Sequence, residues 1–128
     1  MMPSKHVLVV DDDSVLAAFI AETLVESQLG CSVSVARSGE EALERLYQGP
    51  VDVLVTDLRM SGIDGLALIR WARAFHPDVP AILMTGDGRS ELALRARSCG
   101  AWRTVFKSSG FTERLECAVR DALCASQA

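Results

Sequence analysis

Four short apolar runs, each closed by a polar residue and parted from the next by a helix-length stretch, limit this chain to few folds. His6-Val7-Leu8-Val9-Val10 leads into Asp11-Asp12-Asp13, and Val51-Asp52-Val53-Leu54-Val55-Thr56 leads into Asp57. Ala81-Ile82-Leu83-Met84 ends on Thr85, and Thr104-Val105-Phe106 ends on Lys107. Runs of this length and content read as parallel strands of a βα repeat. The first three are apolar at nearly every position, which suits strands covered on both faces. Right-handed crossovers then place helices on both sides of the sheet. In open α/β sheets the site lies beyond the carboxyl ends of the strands. Three carboxylates, a hydroxyl and an ammonium would therefore meet at one rim, the chemistry of a carboxylate that holds a cation and accepts a phosphoryl group.

The pattern predicts five strands and five helices. Strands are expected at about His6–Val10, Ser32–Ala36, Val51–Thr56, Ala81–Met84 and Arg103–Phe106. Helix one is expected over Ser14–Gln28, with Asp13 or Ser14 as its cap. Ser38 followed by Glu41 forms a capping box that opens helix two, which runs to Gln48. Helix three covers Gly65–Phe75 and stops ahead of Pro77. Helix four spans Ser90–Cys99, and helix five runs from a Thr112 cap to Cys124. On helix one, Leu16, Phe19, Ile20 and Leu24 are assigned to the core, leaving Ser14, Val15 and Ala18 toward the rim.

At 128 residues the chain makes one domain, with its core over about residues 5–124. No apolar stretch approaches the roughly 20 residues that span a bilayer, and the start resembles no secretory signal. A cytoplasmic protein with no membrane contact is expected. A net charge of −4 argues against direct nucleic-acid binding. Cys31, Cys99, Cys117 and Cys124 have no metal-site spacing and read as free, small core residues. Only two of the thirteen basic residues are Lys. Lys107 at a strand end therefore suggests a need for a compact point charge.

Asp11, Asp12 and Asp57 cannot all ionise in one pocket without a counter-charge. A divalent cation resolves the conflict, and hard oxygen ligands suit Mg²⁺. The plainer reading of the triplet is a helix cap, which fits Asp13 best.

With these residues in place, the chain resembles the receiver domain of two-component response regulators. The likeness rests on residues 7–13 (Val-Leu-Val-Val-Asp-Asp-Asp), 36–43 (Ala-Arg-Ser-Gly-Glu-Glu-Ala-Leu) and 51–65, which carry Thr-Asp-Leu-Arg-Met-Ser-Gly-Ile-Asp-Gly. Ala-Ile-Leu-Met-Thr-Gly (81–86), Cys-Gly-Ala (99–101) and Val-Phe-Lys (105–107) complete it in the same order. The resemblance implies a flavodoxin-like, doubly wound, five-stranded parallel sheet of order 2-1-3-4-5, as in the chemotaxis member. It implies that Asp57 accepts a phosphoryl group from a histidine kinase or histidine phosphotransfer protein. Mg²⁺ would be held by Asp11, Asp12, Asp57 and the backbone carbonyl of Arg59. Lys107 and Thr85 would meet the phosphoryl oxygens, and Gly86 would leave them room. Such a domain is a phosphoacceptor, not an enzyme beyond its own phosphorylation and dephosphorylation.

The resemblance also implies that Ser14, Val15 and Ala18, with Ser108 in the loop after strand five, dock the phosphohistidine partner. An output domain or a second copy would use the face made by helix four, strand five and helix five. The chain departs from the family at Ser108, where a proline after a cis peptide is usual, so that loop is expected to be trans. It departs again at Thr104, where the family has an aromatic switch that cannot be carried over. Trp102 is either a packing residue or an exposed contact. Arg59 and Asp87 are either a surface ion pair or a gate on water access to the site. Four other functions compete. One is a receiver-like module that signals without phosphorylation, and another is the receiver of a hybrid histidine kinase. The third, an aspartate-nucleophile phosphohydrolase, would need an Asp where Arg59 stands. The fourth, a flavodoxin-type FMN carrier, would need hydroxyls and glycines after strand one, where three carboxylates would repel the phosphate.

Overall fold

A computed structural model describes residues 5–125. Five strands and five helices alternate: β1 (Lys5–Val10), α1 (Ser14–Glu26), β2 (Cys31–Ala36), α2 (Gly39–Gln48), β3 (Val53–Asp57), α3 (Gly65–Phe75), β4 (Ala81–Thr85), α4 (Ser90–Cys99), β5 (Arg103–Phe106) and α5 (Phe111–Ala125). All strand pairs are parallel, in the order β2-β1-β3-β4-β5. The doubly wound sheet read from the sequence is the one observed.

Alternation along the strands divides the core into two layers. Leu8, Val10, Leu54 and Leu83 face α2, α3 and α4, packing on Leu46, Leu68, Ile69 and Leu92. Val7, Val9, Val53, Val55, Ile82, Met84 and Val105 face α1 and α5, against Ile20, Leu24, Leu115 and Val119. Each large side chain so buried contributes roughly 1.5–3 kcal/mol relative to exposure. Because both faces are covered, the central positions of β1, β3 and β4 are apolar without alternation, from Val7 to Val10, Val53 to Val55 and Ala81 to Met84.

Several element ends differ from the sequence reading. Strand three begins at Val53: Asp52 instead meets β1 by donating its amide to the His6 carbonyl and accepting the His6 amide on its carboxylate, at 2.7 Å. Helix α1 stops at Glu26, because Gln28 takes a φ of 56° that no helix accommodates. Its cap is Asp13, whose carboxylate accepts from the Val15 and Leu16 amides at 3.1 Å each. Ser38 caps α2, but Glu41 reaches back to the Arg37 amide rather than to Ser38. Thr112 lies inside α5 and caps nothing; its hydroxyl contacts Glu113.

Phe19 is not a core residue. It is 52% exposed, while Ala17, Ile20 and Leu24 form the buried stripe of α1. One residue is about 100° of helical rotation, so Phe19 falls beside that stripe instead of on it. The cysteines are free as expected, but Cys117 and Cys124 are exposed and Cys31 and Cys99 only half-buried.

Candidate functional site

Register assembles the site. Val10 pairs with Thr56, so Asp11 and Asp57 follow side by side on β1 and β3. Asp57 pairs with Met84, which sets Thr85 one step beyond it, and Thr85 pairs with Phe106, which sets Lys107 one step further. The Lys107 amide continues the ladder by donating to the Thr85 carbonyl at 2.8 Å. Four strand ends thus bring together Asp11, Asp12, Asp57, Thr85 and Lys107. The α3 N-terminus closes in behind them. A Cβ on Gly65 would stand 2.2 Å from the Asp57 carbonyl oxygen, so only glycine permits this approach.

One carboxylate oxygen from each of Asp11, Asp12 and Asp57 falls within a cluster 4.8 Å across. The Lys107 ammonium stands 2.6 Å from Asp57 Oδ1 and 3.7 Å from Asp11 Oδ2. Asp11 is 1% exposed, and its Oδ1 accepts the Asp13 amide at 2.9 Å. Its Oδ2 is buried with no hydrogen-bond partner. Burial raises the Asp11 pKa above its ordinary 3.8, opposed by the Asp13 amide bond and reinforced by the Asp57 charge. An orphaned, buried carboxylate oxygen in an all-oxygen cluster fits a hard divalent cation. The residues present suit Mg²⁺.

Thr85 is buried, and its hydroxyl oxygen accepts the Asp87 amide at 3.0 Å, leaving its proton to be donated elsewhere. Gly86 has nothing within 4 Å of where a side chain would begin. Together with Asp57, Arg59 and Lys107, these residues line an open cavity of about 450 Å³.

Arg59 and Asp87 do meet, at 4.0 Å, but the stronger partner of Asp87 is Arg89. The Arg89 guanidinium donates to both carboxylate oxygens, with its closest contact at 2.6 Å, and its amide donates to Oδ1. Those hydrogen bonds lower the Asp87 pKa to about 2. The spacing Asp-x-Arg in a loop is the sequence signal for this pair.

Ser14, Val15 and Ala18 are exposed on α1, and Ser108 is exposed beside Lys107. Phe19 joins this strip, four residues after Val15 on the same face. Trp102 faces solvent with one ring face covered by the Arg103 guanidinium at 4.4 Å. Thr104 and Phe106 are both half-buried on one side of β5, while Val105 is buried on the other. The Lys107–Ser108 peptide is trans, as are all peptides among the described residues.

The sequence matches the family described as the response regulator receiver domain across residues 7–119. The chain belongs to this family. Among curated relatives, the C4-dicarboxylate transport transcriptional regulatory protein DctD of Rhizobium meliloti is 37% identical over 107 residues, covering 84% of this chain and 23% of that protein. The DNA-binding transcriptional regulator NtrC of Escherichia coli is 38% identical over 96 residues, 75% of this chain and 20% of that protein. The chain therefore spans between a fifth and a quarter of the length of these relatives. Among solved structures, Thermotoga maritima TrrA, determined in complex with Mg²⁺–BeF, shares 32% identity at a TM-score of 0.82 over 93% of this receiver domain and 99% of that chain. No helix of the described residues is long and apolar enough to cross a membrane.

Proposed function

We propose that this receiver domain is a phosphorylation-dependent switch whose phosphoacceptor is Asp57. The observation that carries the reading is the buried Asp11 Oδ2, without a hydrogen-bond partner, in a three-carboxylate cluster with Lys107 held 2.6 Å from Asp57. Asp11, Asp12 and Asp57 would hold Mg²⁺, with the backbone carbonyl of Arg59, and the bound ion supplies positive charge against the phosphoryl oxygens. The complex of TrrA with Mg²⁺–BeF supports the same ion here.

An Asp57 carboxylate oxygen forms the new O–P bond as the N–P bond of a partner's phosphohistidine breaks. The bonding pair stays on the imidazole nitrogen, which then takes up a proton. Lys107 pairs with a phosphoryl oxygen, and Thr85, its lone pair already engaged by the Asp87 amide, donates its hydroxyl proton to another. Fixed charges and dipoles aimed at the transferring group are what such a reaction requires of a protein. Arg89 holds Asp87, and Arg59 with Asp87 gates water at the mouth. The domain is no enzyme beyond its own phosphorylation and dephosphorylation.

Val15, Ala18, Ser14 and Ser108, joined by Phe19, form the surface for a histidine kinase or phosphotransfer protein. The signal leaves by the α4-β5-α5 face toward an output domain or a second copy. Thr104 cannot act there as an aromatic plug, so the β4–α4 loop carries the change. The reading places the chain in the cytoplasm, with its phosphohistidine donor.

Treatment with acetyl phosphate and Mg²⁺ should add a single acid-labile phosphoryl group, seen by mass spectrometry and lost in Asp57→Asn. A modification that persists undiminished in that variant would sink the assignment.

A further inference from the structure

We infer that Arg114 is a positioning residue that sets where the Lys107 ammonium stands. The inference rests on the phosphoacceptor reading of Asp57. Lys107 is the middle residue of a three-residue turn, closed by the Ser108 amide donating to the Phe106 carbonyl at 2.9 Å. A turn held by one such bond is weakly constrained on its own. Its incoming side is anchored, since the Lys107 amide donates to Thr85 on β4. Its outgoing side runs into Ser108-Ser109-Gly110, exposed and without a proline, where the Phe111 amide donates to the Ser108 carbonyl at 2.9 Å but, apart from the bond that closes the turn, no backbone bond ties the stretch to the sheet.

Arg114 supplies the missing constraint. Its Nη2 donates to the Phe106 carbonyl at 2.7 Å and to Ser108 Oγ at 2.9 Å. One nitrogen therefore ties both ends of the turn that has Lys107 at its apex. Nη1 donates to the Ser109 carbonyl at 2.6 Å. The planar fork of a guanidinium spreads these contacts over two nitrogens, Nη1 and Nη2, whereas the three donors of an ammonium all radiate from one atom.

The local sequence is built for this reach. Arg114 sits in the first turn of α5, and long helical side chains lean back toward the N-terminus, here over the loop. Gly110 takes a φ of +80°, and a Cβ on it would stand 3.0 Å from Arg114 Nη1. A side chain there would be strained and would crowd the guanidinium. The consequence lies at the other end of Lys107, whose ammonium must meet Asp57 Oδ1 at 2.6 Å. Displacements of about 1 Å at a reacting group cost up to about 100-fold in rate.

The test uses the 128-residue chain with Mg²⁺ and acetyl phosphate. Arg114→Ala should slow labelling of Asp57 about ten-fold, and Arg114→Lys should slow it as much, because charge without the fork does not restore the turn. In a Lys107→Ala background, Arg114→Ala should add less than about two-fold, since both changes act through one ammonium. Labelling within about two-fold of the parent in Arg114→Ala, or fully multiplicative effects in the double variant, overturns the inference. Amide exchange gives an independent readout: Ser108 and Phe111 should exchange about ten-fold faster in Arg114→Ala while α5 beyond its first turn is unchanged. Unchanged exchange also overturns it. Should the parent itself take no label, the phosphoacceptor reading fails, and the exchange measurement alone decides the role of Arg114.

Discussion

Burial strips Asp11 of water and leaves its Oδ2 facing only the Lys107 ammonium, 3.7 Å away, with the Asp57 carboxylate close by. The folded state therefore holds a proton on Asp11 more tightly than the unfolded chain does. Where the native state binds more protons, stability falls as pH rises. Without divalent cation, stability should drop as pH climbs from about 3.8 through the raised Asp11 pKa. Asp11→Asn has nothing to titrate there, so its curve should be flatter. At neutral pH it should melt higher than the parent, because no carboxylate charge is then buried there. Mg²⁺ should raise the melting temperature of the parent by linkage and leave Asp11→Asn unmoved. Thermal unfolding across pH, with and without Mg²⁺, checks all three. An Asp11→Asn protein that melts lower than the parent and still responds to Mg²⁺ would place both the strain and the ion elsewhere.

Helix α1 carries a buried stripe and, apart from it, an exposed apolar pair. Its stripe of Ala17, Ile20 and Leu24 is buried, whereas Val15 is 79% and Phe19 52% exposed. Two large apolar side chains four residues apart beside the acidic rim thus leave half or more of their surface in water. Truncating an exposed side chain costs little stability, whereas the minority of interface residues that anchor a complex cost over about 1 kcal/mol of binding each. Phe19→Ala and Val15→Lys should each slow transfer from a cognate phosphohistidine partner about ten-fold. Labelling by acetyl phosphate and the melting temperature should stay at parent values. Equal loss of transfer and of acetyl phosphate labelling would mean that the strip supports the site and not a partner.

At the scale of the molecule, the site exists because four parallel strands end in register and because α3 can press against the end of β3. Gly65 carries that second requirement. Adding one methyl at Gly65 drives it into the Asp57 carbonyl and Leu58 Cα, which are backbone atoms with no freedom to yield. Gly65→Ala should cost about 2 kcal/mol or more and weaken labelling at Asp57. Gly86→Ala meets open space and should leave stability within about 0.5 kcal/mol of the parent. Comparable urea midpoints for the two variants would contradict this account of how α3 is seated.

Much of this protein was legible in one dimension because the signals are local. Continuous apolar runs reveal strands covered on both faces, and a polar residue closing each run marks the carboxyl rim, so Asp11, Asp12, Asp57, Thr85 and Lys107 could be named together. Caps such as Asp13 and Ser38 depend on hydrogen bonds two or three residues away, and they too could be read. Which of several possible partners a side chain meets was not visible. Phe19 belongs to the surface because the sheet meets α1 along the line of Ile20 and Leu24, a rotation that a helical apolar pattern leaves ambiguous. Asp87 belongs to Arg89 more than to Arg59 because the β4–α4 loop folds the nearer guanidinium onto it. Arg114 reads as one more surface cation until α5 packs beside β5 and swings it over the turn at Lys107. Periodicity and spacing determine which backbone forms; only the packed structure decides which side chains meet, since those meetings follow from the angle at which each helix lies on the sheet.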